Sequence, residues 1–204
     1  NTDYQLGYMA GVAYERPEIA LRVALTYHSE IEHDLELTEA SPALLAPGGP
    51  ETNTNSVSMP QSLNLEFQSG VAENTLAFGS IHWVEWSETV IDPTVYRRAM
   101  LARPLVFFED DRITYTLGVA RRLNETWSVL GPLGYEESTG SETGNLGPTD
   151  GFKSISLGAV YTKDNMKITG GVRYVDIGDA TTFSGAEFSD NNAIAAGIRV
   201  GWSF

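Results

Sequence analysis

The 204 residues include no cysteine, which excludes disulfides and thiolate metal sites and permits an oxidising compartment such as the periplasm or the outer membrane. No apolar run approaches the roughly 18 residues that a membrane-spanning helix needs. The opening Asn1-Thr2-Asp3 lacks the basic and apolar regions of a signal peptide, and removal by export processing or truncation is the expected reason. Positive charge is scarce: 13 basic residues stand against 27 acidic ones, a formal net charge of −14, which argues against nucleic acid as a partner. Between Val23 and Tyr96 there is no Lys or Arg at all, while Glu30, Glu32, Asp34, Glu36, Glu39, Glu51, Glu66, Glu73, Glu85, Glu88 and Asp92 fall there. Such a stretch reads first as solvated surface; in an outer membrane it is also a place for divalent cations that bridge lipopolysaccharide. Histidine occurs only at positions 28, 33 and 82, without zincin spacing, and no nucleophile, base and orienter stand together. No catalytic residue, cofactor or metal is therefore expected. His28, Glu30, Glu32 and Asp34 share a period-two face, read as a hydrated polar extension in preference to an ion site.

What the sequence does have is a period of two. Counting back from the end, Phe204, Trp202, Val200, Ile198, Ala196 and Ile194 fall on one face, and Ser203, Gly201, Arg199, Gly197, Ala195 and Ala193 on the other. An apolar face ending in an aromatic residue, opposite a small or charged one, is the pattern of a transmembrane β-barrel strand. An edge strand of a soluble sandwich has the same alternation, so the remaining chain must decide.

Eight more strands follow the same pattern: Gln5–Glu15, Ile19 to about Leu37, Gln61–Val71, Thr75–Ser87, Arg112–Arg122, Thr126–Tyr135, Phe152–Thr162 and Met166–Ile177. The second is too long for a small soluble sheet and turns polar on both faces after Tyr27. Pro132 lies inside a strand, which implies a bulge or a locally unpaired position, because proline lacks the ladder donor. The connections alternate. Arg16-Pro17-Glu18, Ala72-Glu73-Asn74, Leu123-Asn124-Glu125 and Lys163-Asp164-Asn165 are tight turns, whereas Ser41–Thr54, Glu88–Asp111, Glu136–Asp150 and Gly178–Ser189 are long loops. Sandwiches have no reason to sort turn lengths by end; outer-membrane barrels do, with short periplasmic turns and long outer loops. Tyr8, Tyr14, Tyr27, Trp83, Tyr115, Trp127, Tyr135, Tyr161, Tyr174 and Trp202 sit near strand ends, as aromatic girdles would. The expected fold is all-β, an antiparallel transmembrane β-barrel, with the C-terminus periplasmic. The first strand would then start outside the cell. Because bacterial barrels have an even strand number with both ends inside, an odd number of upstream strands is expected to be missing.

These residues resemble the FadL family of outer-membrane transporters of long-chain fatty acids and hydrocarbons. Ala24-Leu25-Thr26-Tyr27-His28-Ser29-Glu30 is similar to a family strand reading A-L-T-Y-R-S-E, with His28 in place of the arginine. Met59-Pro60-Gln61-Ser62 stands where the family has Leu-Pro, and Trp83-Val84-Glu85-Trp86-Ser87 resembles its Y-x-x-W-S. The resemblance implies a fourteen-stranded barrel whose last nine strands correspond to residues 1–204, the C-terminal part of a single barrel domain. An N-terminal hatch and about five strands would be absent, an odd number as the topology requires. It further implies passive uptake of a hydrophobic ligand through the bacterial outer membrane, with outer-membrane lipid and lipopolysaccharide around the barrel, or detergent in a structure. A hydrophilic porin and an outer-membrane enzyme or structural barrel are the alternatives.

Thr75–Ser87 is apolar on both faces, so part of the interior is greasy. Inward Leu76, Phe78, Val84 and Trp86, with Phe107 and Phe108 in the following loop, suit an apolar chain, and Arg97, Arg98 or Arg103 could meet its carboxylate. Contact with a hatch explains the same apolar residues equally well. Arg22, Glu30, Glu66, Arg112, Lys167, Arg173 and Arg199 are read as a lumen network satisfied by pairing, in preference to a ligand role.

Overall fold

The computed structural model describes residues 2–40, 50–99, 103–144 and 146–203. The terminal Phe204 of the strand pattern, and Pro42, Pro47, Gly48 and Gly49 of the first long loop, lie outside them. Along the chain, β1 (Met9–Arg16) and β2 (Leu21–His28) are followed by β3 (Ile31–Glu39), β4 (Glu51–Met59), β5 (Ser62–Ala72) and β6 (Thr75–Val84). A short helix, α1 (Thr94–Ala99), precedes β7 (Arg112–Arg122), β8 (Trp127–Glu136), β9 (Phe152–Lys163) and β10 (Met166–Ile177). The two-residue β11 (Ala180–Thr181) and β12 (Glu187–Phe188) come before β13 (Asn192–Trp202). Nine of these strands form one antiparallel sheet in the order β1-β2-β5-β6-β7-β8-β9-β10-β13, with β1 and β13 as its open edges.

Cross-strand partners share a face, so the register sorts the side chains. One row runs through all nine strands as Tyr14, Val23, Phe67, Gly79, Leu117, Leu133, Ile155, Tyr174 and Ile194. The neighbouring row on the opposite face is Ala13, Ala24, Glu66, Ser80, Thr116, Gly134, Ser154, Val175 and Ala193. The apolar row is the bare one: Leu117 is 58% exposed and Ile194 79% exposed. Fully buried hydrophobic residues, among those described, are only Ala24, Val95 and Ala180. A sandwich would bury its apolar face against a second sheet; here, among the described residues, that face has no such partner.

Aromatics mark both ends of the apolar face. Tyr27, Trp83, Tyr115, Tyr135 and Tyr174 lie towards the long loops, and Tyr14, Trp127, Tyr161 and Trp202 towards the tight turns. Neighbouring rings touch, Tyr115 with Tyr135 at 6.3 Å and Trp127 with Tyr161 at 5.1 Å. The tight turns are built as their residues allow. Asn74 takes φ 56° and Asp164 φ 52°, left-handed positions that these short polar residues tolerate. The β8–β9 ladder passes from Leu130↔Gly158 to Leu133↔Ile155 without pairing Gly131 or Pro132, the unpaired position that Pro132 predicts.

Two segments differ from the sequence reading. The strand expected from Ile19 to Leu37 is broken at Ser29–Glu30, and its second half pairs with Glu51–Met59 as a separate hairpin. Residues 51–54, expected within a loop, are therefore strand. Ser, Thr and Asn fill β4 where apolar alternation would have revealed it; the strand is held by its partner and by Asn55, whose Oδ1 accepts from the Asp92 amide at 3.2 Å. Trp86, expected on a strand, instead begins the 3₁₀ turn Trp86–Glu88. The chain turns there, with the Ser87 hydroxyl donating to Asp111 Oδ1 at 2.7 Å.

Candidate functional site

The register places Leu76, Phe78 and Val84 on the polar face of β6, opposite Ala120, Gly118 and Arg112 of β7. Phe78 has room because Gly118 has no side chain: a Cβ there would stand 2.6 Å from Phe78 Cζ. Ser80 and His82 separate Phe78 from Val84 on that face, so Leu76 and Phe78 form an apolar patch near the tight-turn end while Val84 stands at the loop end.

Beyond the loop end of that face lies a cleft of ≈ 210 Å³ between the β6–β7 and β8–β9 connections. Trp86, expected on the strand, and Phe107 and Phe108, expected in the loop after it, line it together. The Trp86 and Phe108 rings pack at 5.1 Å, and Phe107 packs on Phe183 at 5.9 Å. Its other wall is polar, with Glu109, Asp110, Arg112, Glu136, Glu142 and Thr143.

Asp150 organises that polar wall. It is 1% exposed, accepts from Arg112 Nη1 at 2.8 Å and from the amides of Thr139 at 3.1 Å and Gly140 at 2.7 Å, and so ties the β8–β9 loop to the sheet rim. Burial alone would push its carboxyl up; the Gly140 and Thr139 amides and the Arg112 guanidinium outweigh burial and hold it below the usual aspartate value. The hydroxyls of Ser141 and Thr139 likewise hold Asp110 below that value, against a smaller effect of burial. Both carboxylates are ionised at neutral pH. Sequence reasoning missed Asp150 and Thr143. An acid within a Ser/Thr/Gly-rich loop reads as solvated, and only the fold reveals that this one is buried.

The three arginines expected to meet a ligand carboxylate are each paired within the chain. Arg97 binds Asp92 at 2.5 Å, Arg98 grips both oxygens of Glu51, and Arg103 approaches Glu142 at 3.4 Å while lying over the Phe183 ring at 5.2 Å. Hydrogen bonds from Arg98 hold the Glu51 carboxyl below its ordinary range. Of the three, Arg103 alone lies beside the cleft, through its partner Glu142.

The expected charge network is dispersed. Arg22, Glu66, Arg112, Lys167, Arg173 and Arg199 do share the polar face, but Arg22 pairs with Glu15 at 3.1 Å and Arg112 with Asp150. Arg173 donates to Ser154 Oγ at 2.9 Å and lies over Phe152 at 5.2 Å. Glu30 lies off the sheet, between β2 and β3, and accepts from Ser58 Oγ. Among the described residues, Glu66, Lys167 and Arg199 form no ion pair. Arg173 and Arg199 flank a separate hollow of ≈ 510 Å³ over Gly158, Gly171 and Gly197. His28 lies on β2 while Glu32 and Asp34 lie on β3, in different sheets, and no group of three metal-ligating side chains occurs among the described residues.

No protein-family model and no curated protein matches the sequence. Solved structures do. A FadL homologue of Pseudomonas aeruginosa superposes with a TM-score of 0.67 over 95% of this chain and 50% of its own, at 15% identity. The CymD monoaromatic hydrocarbon channel superposes with a TM-score of 0.59 over 99% of this chain and 52% of its own, at 17% identity. The chain thus spans about half the length of either structure. By its fold it is a FadL-like antiparallel β-barrel segment, nine strands wide and open at both edges.

Proposed function

We propose that the chain is part of an outer-membrane channel through which hydrophobic small molecules, long-chain fatty acids or hydrocarbons among them, pass by diffusion without catalysis. The observation that carries this reading is the apolar Leu76, Phe78 and Val84 on the largely polar face, with the aromatic cleft of Trp86, Phe107 and Phe108 beyond its loop end. A hydrophilic porin needs a polar inner face throughout and has no use for those residues. The bare apolar face, edged by aromatics at both ends, would meet lipid, with the tight turns and the end of β13 towards the periplasm. Open strand edges cannot stand in lipid, so β1 and β13 would be closed by further strands of the same barrel, with a hatch within. The two solved structures support the reading through fold: one is a FadL homologue and the other a monoaromatic hydrocarbon channel.

The test is flux into liposomes carrying the full-length protein. A hydrophobic probe such as ethylbenzene is expected to enter faster than through protein-free bilayer, and Phe78→Glu to lower the protein-dependent flux by about tenfold, equivalent to about 1.4 kcal/mol. Equal passage of a hydrophilic solute of the same size would overturn the proposal in favour of a porin.

A further inference from the structure

The cleft of Trp86, Phe107 and Phe108 has a polar end, and its chemistry is not that of a carboxylate receptor. Its lining holds four acids, Glu109, Asp110, Glu136 and Glu142, against one lining cation, Arg112, which is committed to the buried Asp150 at 2.8 Å, while Arg103 beside it is committed to Glu142 at 3.4 Å. Glu136 is itself fixed, accepting from Thr114 Oγ1 at 2.6 Å. An anionic head entering here would meet like charge on several sides.

Two polar atoms at that end are unspent. Thr143 is 8% exposed and its backbone is locked, its amide donating to Thr181 at 3.0 Å and its carbonyl accepting from Phe183 at 3.2 Å; yet its Oγ1 has no hydrogen-bond partner. Asp110 Oδ2 is also buried and without one. A buried hydroxyl and a buried carboxylate oxygen left unpaired are costly unless something completes them. A hydroxyl head can donate to the carboxylate and also accept from the threonine; a carboxylate has no proton to give to Asp110. The volume bounds the rest. At ≈ 210 Å³ the cleft exceeds the about 150 Å³ that suffices for benzene and falls short of what a long acyl chain requires.

We propose that this cleft is a recognition site for a single-ring aromatic compound bearing an uncharged hydroxyl, with the ring against Trp86 and Phe108 and the hydroxyl between Asp110 and Thr143, and that it selects against carboxylates. The inference rests on the transport reading and names a substrate class within it. Aromatic compounds with a hydroxyl on or beside the ring are collected from outside, while the acidic rim turns their acid analogues away.

Equilibrium binding of benzyl alcohol, ethylbenzene and benzoate to the detergent-solubilised full-length protein tests it. Benzyl alcohol is expected to bind about tenfold tighter than either of the other two. Thr143→Val and Asp110→Leu, which remove the polar partner, should each abolish the preference over ethylbenzene, and Thr143→Ser, which keeps the hydroxyl, should retain it. Benzoate or ethylbenzene binding as tightly as benzyl alcohol, or a preference that survives both substitutions, overturns the proposal. The liposome flux assay separates this from the parent reading. Ethylbenzene flux without any alcohol preference sinks the selectivity and leaves transport standing, whereas a measured preference with no flux of any probe does the reverse.

Discussion

Asp150 shows how much one side chain can decide. Its carboxylate is buried and carries hydrogen bonds from two amides and one guanidinium, so an asparagine there removes the charge, keeps one acceptor oxygen and turns an NH2 towards the remaining donors. Asp150→Asn is expected to weaken docking of the 137–151 connection by about 3 kcal/mol, the scale for breaking a buried pair from one side. Hydrogen exchange of the Thr139 and Gly140 amides reads this directly; unchanged protection would refute it. The pH dependence has a definite sign. Since the folded pKa lies below the ordinary value, the stabilisation is fully present above about pH 4 and is lost only as pH falls through the lower folded value. Protection of both amides should therefore be the same at pH 7 and pH 5. Gly151 supports the same anchor from the backbone: its φ is +71°, and a Cβ would stand 2.6 Å from the Glu136 carbonyl oxygen.

At the scale of the element, β8 is the strand with a built interruption. Pro132 still pairs across to Gly118 of β7, but the ladder to β9 lacks Gly131 and Pro132 because proline offers no donor to that side. Restoring an N–H with Pro132→Ala should let the ladder close, slowing amide exchange at Ser156 across from it; exchange as fast as in the parent would mean that the gap has another cause. The same strand shows why the sheet could be read from sequence. Pro132 and the alternation of Val129 and Leu133 on one face with Leu130 on the other are local signals, and a period of two survives any tertiary context. The hairpin of β3 and β4 shows the opposite. β4 alternates Thr and Ser with Asn, and nothing in Glu51–Met59 announces a buried side; Asn55 is buried only because α1 and its flanks come back over it, with Glu39 accepting from the Val95 and Tyr96 amides. The cleft was half legible for the same reason. Its aromatic wall of Trp86, Phe107 and Phe108 has a composition that stands out, whereas Thr143 and Asp110 become unusual only once a loop from elsewhere closes over them.

For the whole molecule the membrane proposal turns on which face of the sheet would meet lipid, and adjacent positions on β13 test it. Val200 lies opposite Ile168 on the apolar face, and Gly201 lies opposite Lys167 on the polar one. An arginine at Val200 would put a guanidinium among exposed aliphatic side chains, at a cost of about 2 to 4 kcal/mol near a bilayer midplane. At Gly201 the nearest atom to a new Cβ is the Lys167 carbonyl oxygen at 3.9 Å, so there is space for a side chain. The penalty there is the like charge of Lys167 across the pair, about 0.2 to 1 kcal/mol. Full-length Val200→Arg should therefore assemble poorly in outer membranes while Gly201→Arg assembles close to normally, read from the heat-modifiable folded band on an unboiled gel. The reverse result would turn every strand inside out, because the register ties all nine to one another. It would place the row from Tyr14 to Ile194 in the lumen, where a hydrophobic lining that wide would no longer need Leu76 and Phe78 to explain passage of an apolar molecule.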